Sequence, residues 1–284
     1  MKTAVVTFLL IALYVSIIFP FASYMNNKPF MEKMGYVPKG EILRYVSADQ
    51  ETFVSATIIL KVLFYFGSLV EYAGNKVDTV ADYPAMSRSI HAALKLDPYN
   101  MDAYYFAQAT LVWDANQVEL VNRLLDYGMK YRSWDYYLPF FAGFNHAYFL
   151  KDYANAAKYY KLAADLSGSD LYMKLAGRYF FESGQTEMAI AYLSAMEKSA
   201  RNDAIKKSFR TRLLAITTAY TIERARNSFL KERGRLPVSV DALILNGYLK
   251  EKPVDPYGGI FYLEPNGTVR TTSKFAYATG KAKK

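Results

Sequence analysis

The sequence predicts a mainly α-helical protein. It should have one N-terminal membrane-crossing helix, a series of helical hairpins stacked as a solenoid, and a small C-terminal α+β module with a β-hairpin. Three observations carry this expectation. The N-terminus holds an uncharged apolar run, Ala4 to Ala22. Small residues recur through the middle of the chain at a helical-repeat spacing, as when Ala156 is set against Ala189. After Pro237 the helical texture gives way to short β-like stretches broken by Pro, Asn and Gly.

Composition narrows the function classes. The 284 residues carry 35 Lys+Arg against 26 Asp+Glu, a formal net charge of +9, and 52% are apolar. A chain of this length can bury a full core without disulfide or metal staples. The absence of Cys excludes disulfide scaffolds, cysteine zinc sites, thiol nucleophiles and lipid-modified cysteine anchors. His91 and His146 are the only histidines, so a histidine-rich metal site is not expected. The chain is too apolar for a disordered one.

The run Ala4–Ala22 interrupts its apolar character only at Thr7 and Ser16. As a helix it would be roughly 28 Å long, close to the hydrocarbon thickness of a bilayer. A cleaved signal peptide is the rival reading. It calls for a shorter apolar core and an A-x-A-like site, which Phe21-Ala22-Ser23-Tyr24 fits poorly. We expect an uncleaved anchor over 1–24, followed by a linker over 25–48. The charge rule is weak here, since Lys2 precedes the run and Lys28 and Lys33 follow it. The favoured orientation leaves the body outside the cytoplasm, on the periplasmic side of a bacterial inner membrane.

A second apolar stretch, Phe53 to Val70, carries Thr57, Lys61, Tyr65, Ser68 and Glu71 at helical spacing. This reads as one polar stripe on an otherwise apolar helix. A charge at the middle of a bilayer costs about 2.5–3.5 kcal/mol on insertion scales. A buried helix with one wet edge is therefore expected in place of a second span.

Residues 49–203 repeat. One unit runs from Tyr137 to Gly168 and the next from Leu171 to Ser199; an earlier one closes at Ala92–Asn100, leaving Met101–Arg132 for a degenerate unit between them. Gly177 lies on a first helix, Gly184 at a turn, Ala93, Ala156, Ala163 and Ala189 on second helices, and Pro98 closes a unit. Small residues let helices approach, while Tyr148, Tyr160 and Phe180 fill the space between them. In this pattern the sequence resembles tetratricopeptide repeat (TPR) proteins, whose units are helix–turn–helix pairs of about 34 residues. Gln108 and Tyr127 depart from it by replacing small residues in the degenerate unit.

The resemblance implies a solenoid with a groove lined by first helices, and family geometry would put Tyr105, Phe141, Asn145, Tyr148, Lys174 and Arg178 on it. They would grip a peptide or a partner helix. The alternative is that Phe141 and Tyr148 are core aromatics. The protein's own tail is a further candidate for the groove.

Residues 204–275 form a different module. From Arg201 to Arg235 there are ten basic residues and three acids, so +7 of the net +9 sits there. With Phe209, Leu213, Ile216, Tyr220 and Phe229 this reads as one long amphipathic helix, ended by Gly234 and Pro237. Such a basic helix could meet anionic lipid or an acidic partner, or simply be solvated. Nucleic acid is not expected of a body outside the cytoplasm. Then come a short helix after Pro237 within Leu236–Leu243, the loop Pro253-Val254-Asp255-Pro256-Tyr257-Gly258-Gly259, and strands Ile260–Glu264 and Thr268–Thr272 around Pro265-Asn266-Gly267. A basic tail follows over 276–284.

This order, and that loop above all, resembles the C-terminal part of type II secretion pseudopilins over about Ser208 to Ser273. Pseudopilins begin with a processed leader and a Glu just after the cleavage point, whereas residues 1–22 here contain neither Glu nor Gly. Processing or assembly as a pilin subunit is therefore not expected. Asp255 reads as a turn former, and no metal is expected.

No phosphate loop, metal-ligand spacing or G-x-S-x-G elbow is found in the sequence. The expected function is that of a non-catalytic, cofactor-free, membrane-anchored scaffold. Its protein partner would belong to a type IV pilus or type II secretion machinery, a step that rests on resemblance. The alternatives are a pilus-like structural subunit, or an envelope protein acting on glycan through the aromatic stretch Tyr131–Tyr160 with Asp135 and Asp152. On the scaffold reading, removing Pro237–Lys284 should leave the repeats folded.

Overall fold

The structure, a computed structural model, describes residues 2–27, 33–74 and 80–275; the expected basic tail 276–284 and part of the expected linker lie outside the described residues. The protein is mainly helical with one small antiparallel sheet. Its chain divides into two compact units, Met1–Gln117 and Val118–Lys284. The division falls inside the 49–203 stretch, not at its end.

In the first unit, α1 (Lys2–Asn27) is the expected apolar helix, with Pro20 inside it. It is long and apolar enough to cross a membrane, and its side chains from Phe8 to Met25 are almost all exposed. Next come α2 (Gly40–Ser47), a 3₁₀ turn (Ala48–Gln50), α3 (Glu51–Gly74), α4 (Tyr83–Leu96) and α5 (Met101–Phe106), which runs on into a π turn, Ala107–Leu111. Local chemistry starts these helices. Asp82 Oδ1 accepts from Ala85 N–H at the head of α4, and Asn100 Oδ1 accepts from Ala103 N–H at the head of α5, just after Pro98.

α3 packs on α4. Its packed side is Ser55, Ile58, Ile59, Val62, Tyr65 and Leu69, all buried. Ser55 Oγ donates to the Ala93 carbonyl at 3.0 Å, and the Tyr65 hydroxyl accepts from Asp82 N–H at 2.8 Å. The polar-stripe expectation for this helix needs correction. Thr57, Lys61 and Glu71 are exposed, but Tyr65 points inward because burial gives its ring apolar contacts and its hydroxyl a partner. Nor is the helix buried apart from that stripe, since Phe53, Leu60, Phe64 and Val70 are exposed too.

In the second unit, α6 (Val118–Tyr131), α7 (Tyr137–Asn145, continuing into a π turn, His146–Leu150), α8 (Tyr153–Ser167), α9 (Asp170–Glu182), α10 (Thr186–Ser199) and α11 (Asp203–Arg233) each pack on the next in chain order. The small residues do what their spacing requires. Ala156, Ala163 and Ala189 have no exposed surface. A Cβ added at Gly177 would meet Leu193 Cδ2 at 2.7 Å, so α9 and α10 approach through a side-chain-free point. Gly184 turns the chain between them with φ +81°.

α11 begins at Asn202, whose Oδ1 accepts from Ile205 N–H, and ends at Gly234 with φ 69°. Its inward side is Phe209, Ala215, Ile216, Ala219, Ile222, Ala225 and Phe229. After α12 (Val240–Leu245), strands β1 (Phe261–Leu263) and β2 (Val269–Thr271) pair antiparallel in the register Phe261↔Thr271, Tyr262↔Arg270 and Leu263↔Val269. Gly267 makes the turn with φ +83°.

The C-terminal module is not separable from helices α8–α11. Val240, Leu243, Leu249, Tyr257, Phe261, Val269 and Phe275 share one buried cluster with Ala156, Phe180, Phe181, Leu193 and the inward side of α11. Removing Pro237–Lys284 would uncover that cluster, so the truncated protein should not keep α8–α11 folded, contrary to the sequence expectation.

Candidate partner-binding cavity

A cavity of about 500 Å³ opens in the second unit where the hairpin meets α7–α9. The end of α7 and its π turn supply Phe144 and Tyr148, the next turn Lys151, the start of α8 Tyr153, the end of α9 Arg178, Tyr179 and Glu182, and the hairpin Tyr262, Glu264 and Arg270, with Lys274 and Phe275 beyond it.

The aromatic wall is built from stacked rings. Tyr148 lies on Phe144 at 5.4 Å and 9°, Tyr179 lies on Tyr160 at 5.4 Å and 8°, and Tyr153 stacks on Tyr179 at 5.8 Å. Phe275 meets Phe181 edge-on at 4.9 Å and ties the segment after β2 to α9. Burial pushes the Tyr179 hydroxyl upward in pKa, with Arg178 opposing and Glu182 reinforcing. At neutral pH the Tyr179 hydroxyl is uncharged.

Charge is organised around two carboxylates. Glu182 has Arg178 Nε 3.8 Å from Oε1, and its Oε2 accepts from Arg270. Arg270 Nε also lies 3.6 Å from Glu264 Oε2. Lys151 holds a left-handed backbone, φ 55°, that sets its ammonium 5.1 Å above the Tyr148 ring. With Lys274 there are four cations against two carboxylates. The Arg178 Nε is buried without a hydrogen-bond partner. The arrangement suits an acidic, aromatic-tolerant ligand such as an acidic peptide segment.

Of the six groove candidates, Tyr148 and Arg178 line this cavity. Tyr105 lies half-buried on α5 in the first unit. Phe141 is half-buried and stacks with Tyr137 at 6.3 Å. Asn145 is fully buried and donates Nδ2–H to Asn122 Oδ1 at 2.8 Å, which makes it a tie between α6 and α7 and not a groove residue. Lys174 turns toward α11: its ammonium sits 5.6 Å over the Phe209 ring and its carbonyl accepts from Arg212 Nη1 at 3.0 Å. The protein's own hairpin forms one wall of the cavity. Glu182, four residues after Arg178 on the same helix, was legible as an i,i+4 partner. Arg270 was not, because it arrives from 88 residues away.

The other singled-out residues have local work. Asp255 is buried; its Oδ1 accepts from Tyr257 N–H at 2.8 Å, and its Oδ2 accepts from the Ser273 hydroxyl at 2.6 Å and from the Thr271 hydroxyl. It closes the loop onto β2. Asp135 is paired with Arg132 at 2.9 Å and accepts from Tyr137 N–H. Asp152 caps α8 through Asn155 N–H and lies 3.2 Å from His146 Nδ1. Burial alone would raise the Asp152 carboxyl, but the hydrogen bonds from Asn155 and the nearby His146 outweigh it and lower its pKa. His91 is exposed on α4. Among the described residues, no group of three His, Asp or Glu is placed to hold a metal ion.

No protein-family model matches the chain, and no curated protein matches it.

Proposed function

We propose that this protein is a non-catalytic, membrane-tethered scaffold of the TPR type, working in the bacterial envelope. α1 is the inner-membrane anchor, the bulk of the chain is periplasmic, and the serial hairpins form a short solenoid. The cavity beneath the hairpin takes an acidic segment of a protein partner. The observation that carries this reading is the cavity itself, in which stacked Tyr148, Tyr153 and Tyr179 surround a cationic excess and two arginines share Glu182. The assignment of the partner to a type IV pilus or type II secretion machinery rests on the resemblance of the tail to pseudopilins.

The test is a photo-crosslinking amino acid at Tyr148 in the full-length protein in its native envelope, with and without Arg178→Glu. Capture of a pilus or secretion component that Arg178→Glu abolishes is the expected result. Crosslinks confined to the protein's own hairpin, or capture indifferent to Arg178→Glu, would overturn the cavity reading.

A further inference from the structure

α3 is apolar on more than the side that packs on α4. Its outward side carries Phe53 (69% exposed), Leu60 (51%) and Phe64 (75%), which share one helical face with Thr57, while Val70 (59%) lies off its flank. Glu71 closes that face at the last turn. Upstream of α3, Tyr36, Tyr45 and Val46 are exposed as well. A soluble monomer rarely exposes a contiguous apolar surface of this kind without using it.

We infer that this outward face of α3 lies in the interfacial layer of the same bilayer that α1 crosses, as a second membrane contact that does not span. The inference rests on α1 as an anchor. Three observations choose lipid as the occupant. The most apolar part of Gly40–Glu71 reaches a mean hydropathy of 2.0, against 2.2 in α1, and only a third of it is buried in protein. Only residues 28–39 separate α1 from α2; fully extended they reach about 40 Å, which keeps the face close to the bilayer. Tyr36 and Tyr45 are amphipathic rings of the kind that settle at headgroup level, and Lys61 at the edge of the face has a stem long enough to reach water.

The same helix cannot be a second span while it keeps its place on α4. Spanning would strip Ser55 from the Ala93 carbonyl and Tyr65 from Asp82 N–H. One side in protein and the other in the headgroup–acyl boundary satisfies both sets of residues.

The chain contains no Cys, so single cysteines report cleanly. Full-length Phe64→Cys and, independently, Leu60→Cys are labelled with an environment-sensitive fluorophore and reconstituted into vesicles of phosphatidylethanolamine and phosphatidylglycerol. Lys207→Cys on α11 serves as the exposed control. The expected result is quenching at 64 and 60 by a lipid-borne nitroxide, protection there from aqueous iodide, and the reverse at 207. Iodide quenching at 64 and 60, with the protein still vesicle-bound after an alkaline wash, would overturn the inference and leave the anchor standing. Protection without nitroxide quenching, accompanied by disulfide crosslinks between two chains of the unlabelled Phe64→Cys variant, would overturn it in favour of a second copy. Release of the protein by the alkaline wash would overturn the anchor reading and the inference with it.

Discussion

The two long helices α3 and α11 solve the same packing problem with opposite outer faces. Each buries one stripe of apolar residues against neighbouring helices. α3 then turns Phe53, Leu60 and Phe64 outward, whereas α11 turns out Lys206, Lys207, Arg210, Arg224 and Lys231. The inward stripe of each is what folds its unit. The outward stripe records what each helix meets, and a basic face is soluble as it stands while an apolar one is not.

The contrast is sharpest between a buried and an exposed phenylalanine. Phe209→Ala on the inward side of α11 should cost about 3–5 kcal/mol, because a fully buried ring leaves a cavity. Phe64→Ala on the outward side of α3 should stay within about 0.5 kcal/mol in detergent. Denaturant unfolding of the two full-length variants measures the difference; equal losses would mean that α3 also faces protein.

Next in size is the loop that joins the hairpin to the rest. Asp255→Ala should cost about 2–3 kcal/mol, since it leaves the Thr271 and Ser273 hydroxyls and Tyr257 N–H without their charged acceptor. Limited proteolysis should then cut within 253–275 before it cuts α8 or α9.

Gly177→Val should cost about 1–3 kcal/mol by forcing α9 off Leu193. The thermal midpoint reads it, and Gly184→Ala tests a different cause: space is open there, and only its φ of +81° resists.

A smaller effect depends on pH. Burial raises the Glu223 carboxyl above its ordinary value of 4.5, although the Thr186 hydroxyl and Arg226 and Arg270 act against the shift. The folded state therefore holds this proton more tightly than the unfolded chain. Its contribution is full below about 4.5 and is lost as pH rises through the folded value. Glu223→Gln keeps an acceptor for Thr186 and should raise the midpoint at pH 7, with the gain fading as pH falls toward about 4. A gain that is the same at both pH values would show that the carboxylate is not the cause.

The smallest effect is expected on the basic face. Lys206→Gln with Lys207→Gln should leave stability unchanged to within about 0.5 kcal/mol, as both side chains are exposed.

Legibility followed sequence distance. The end of α11 at Gly234, the turn at Gly267 and the close approach at Gly177 could be read because caps, turns and small-residue spacing act within a few residues. The fates of individual polar residues could not. Arg212 reads as part of a basic face, yet it donates to the carbonyls of Lys174 and Phe275, 38 and 63 residues away. Arg226 likewise donates to the Gly267 carbonyl, 41 residues away. The TPR resemblance would put Asn145 in a groove, and it is instead locked to Asn122. Helical spacing gives the face a residue occupies and says nothing of which element covers that face.

Local propensity and period were enough to set the helical character of the chain, its apolar N-terminal helix, the helical hairpins and the β-hairpin. Three outcomes needed the folded chain: the C-terminal module shares its core with α8–α11, Arg270 and Arg178 meet at Glu182, and one face of α3 is left uncovered among the described residues. Those outcomes depend on long-range burial, where one residue's environment is set by whichever distant segment excludes water from it.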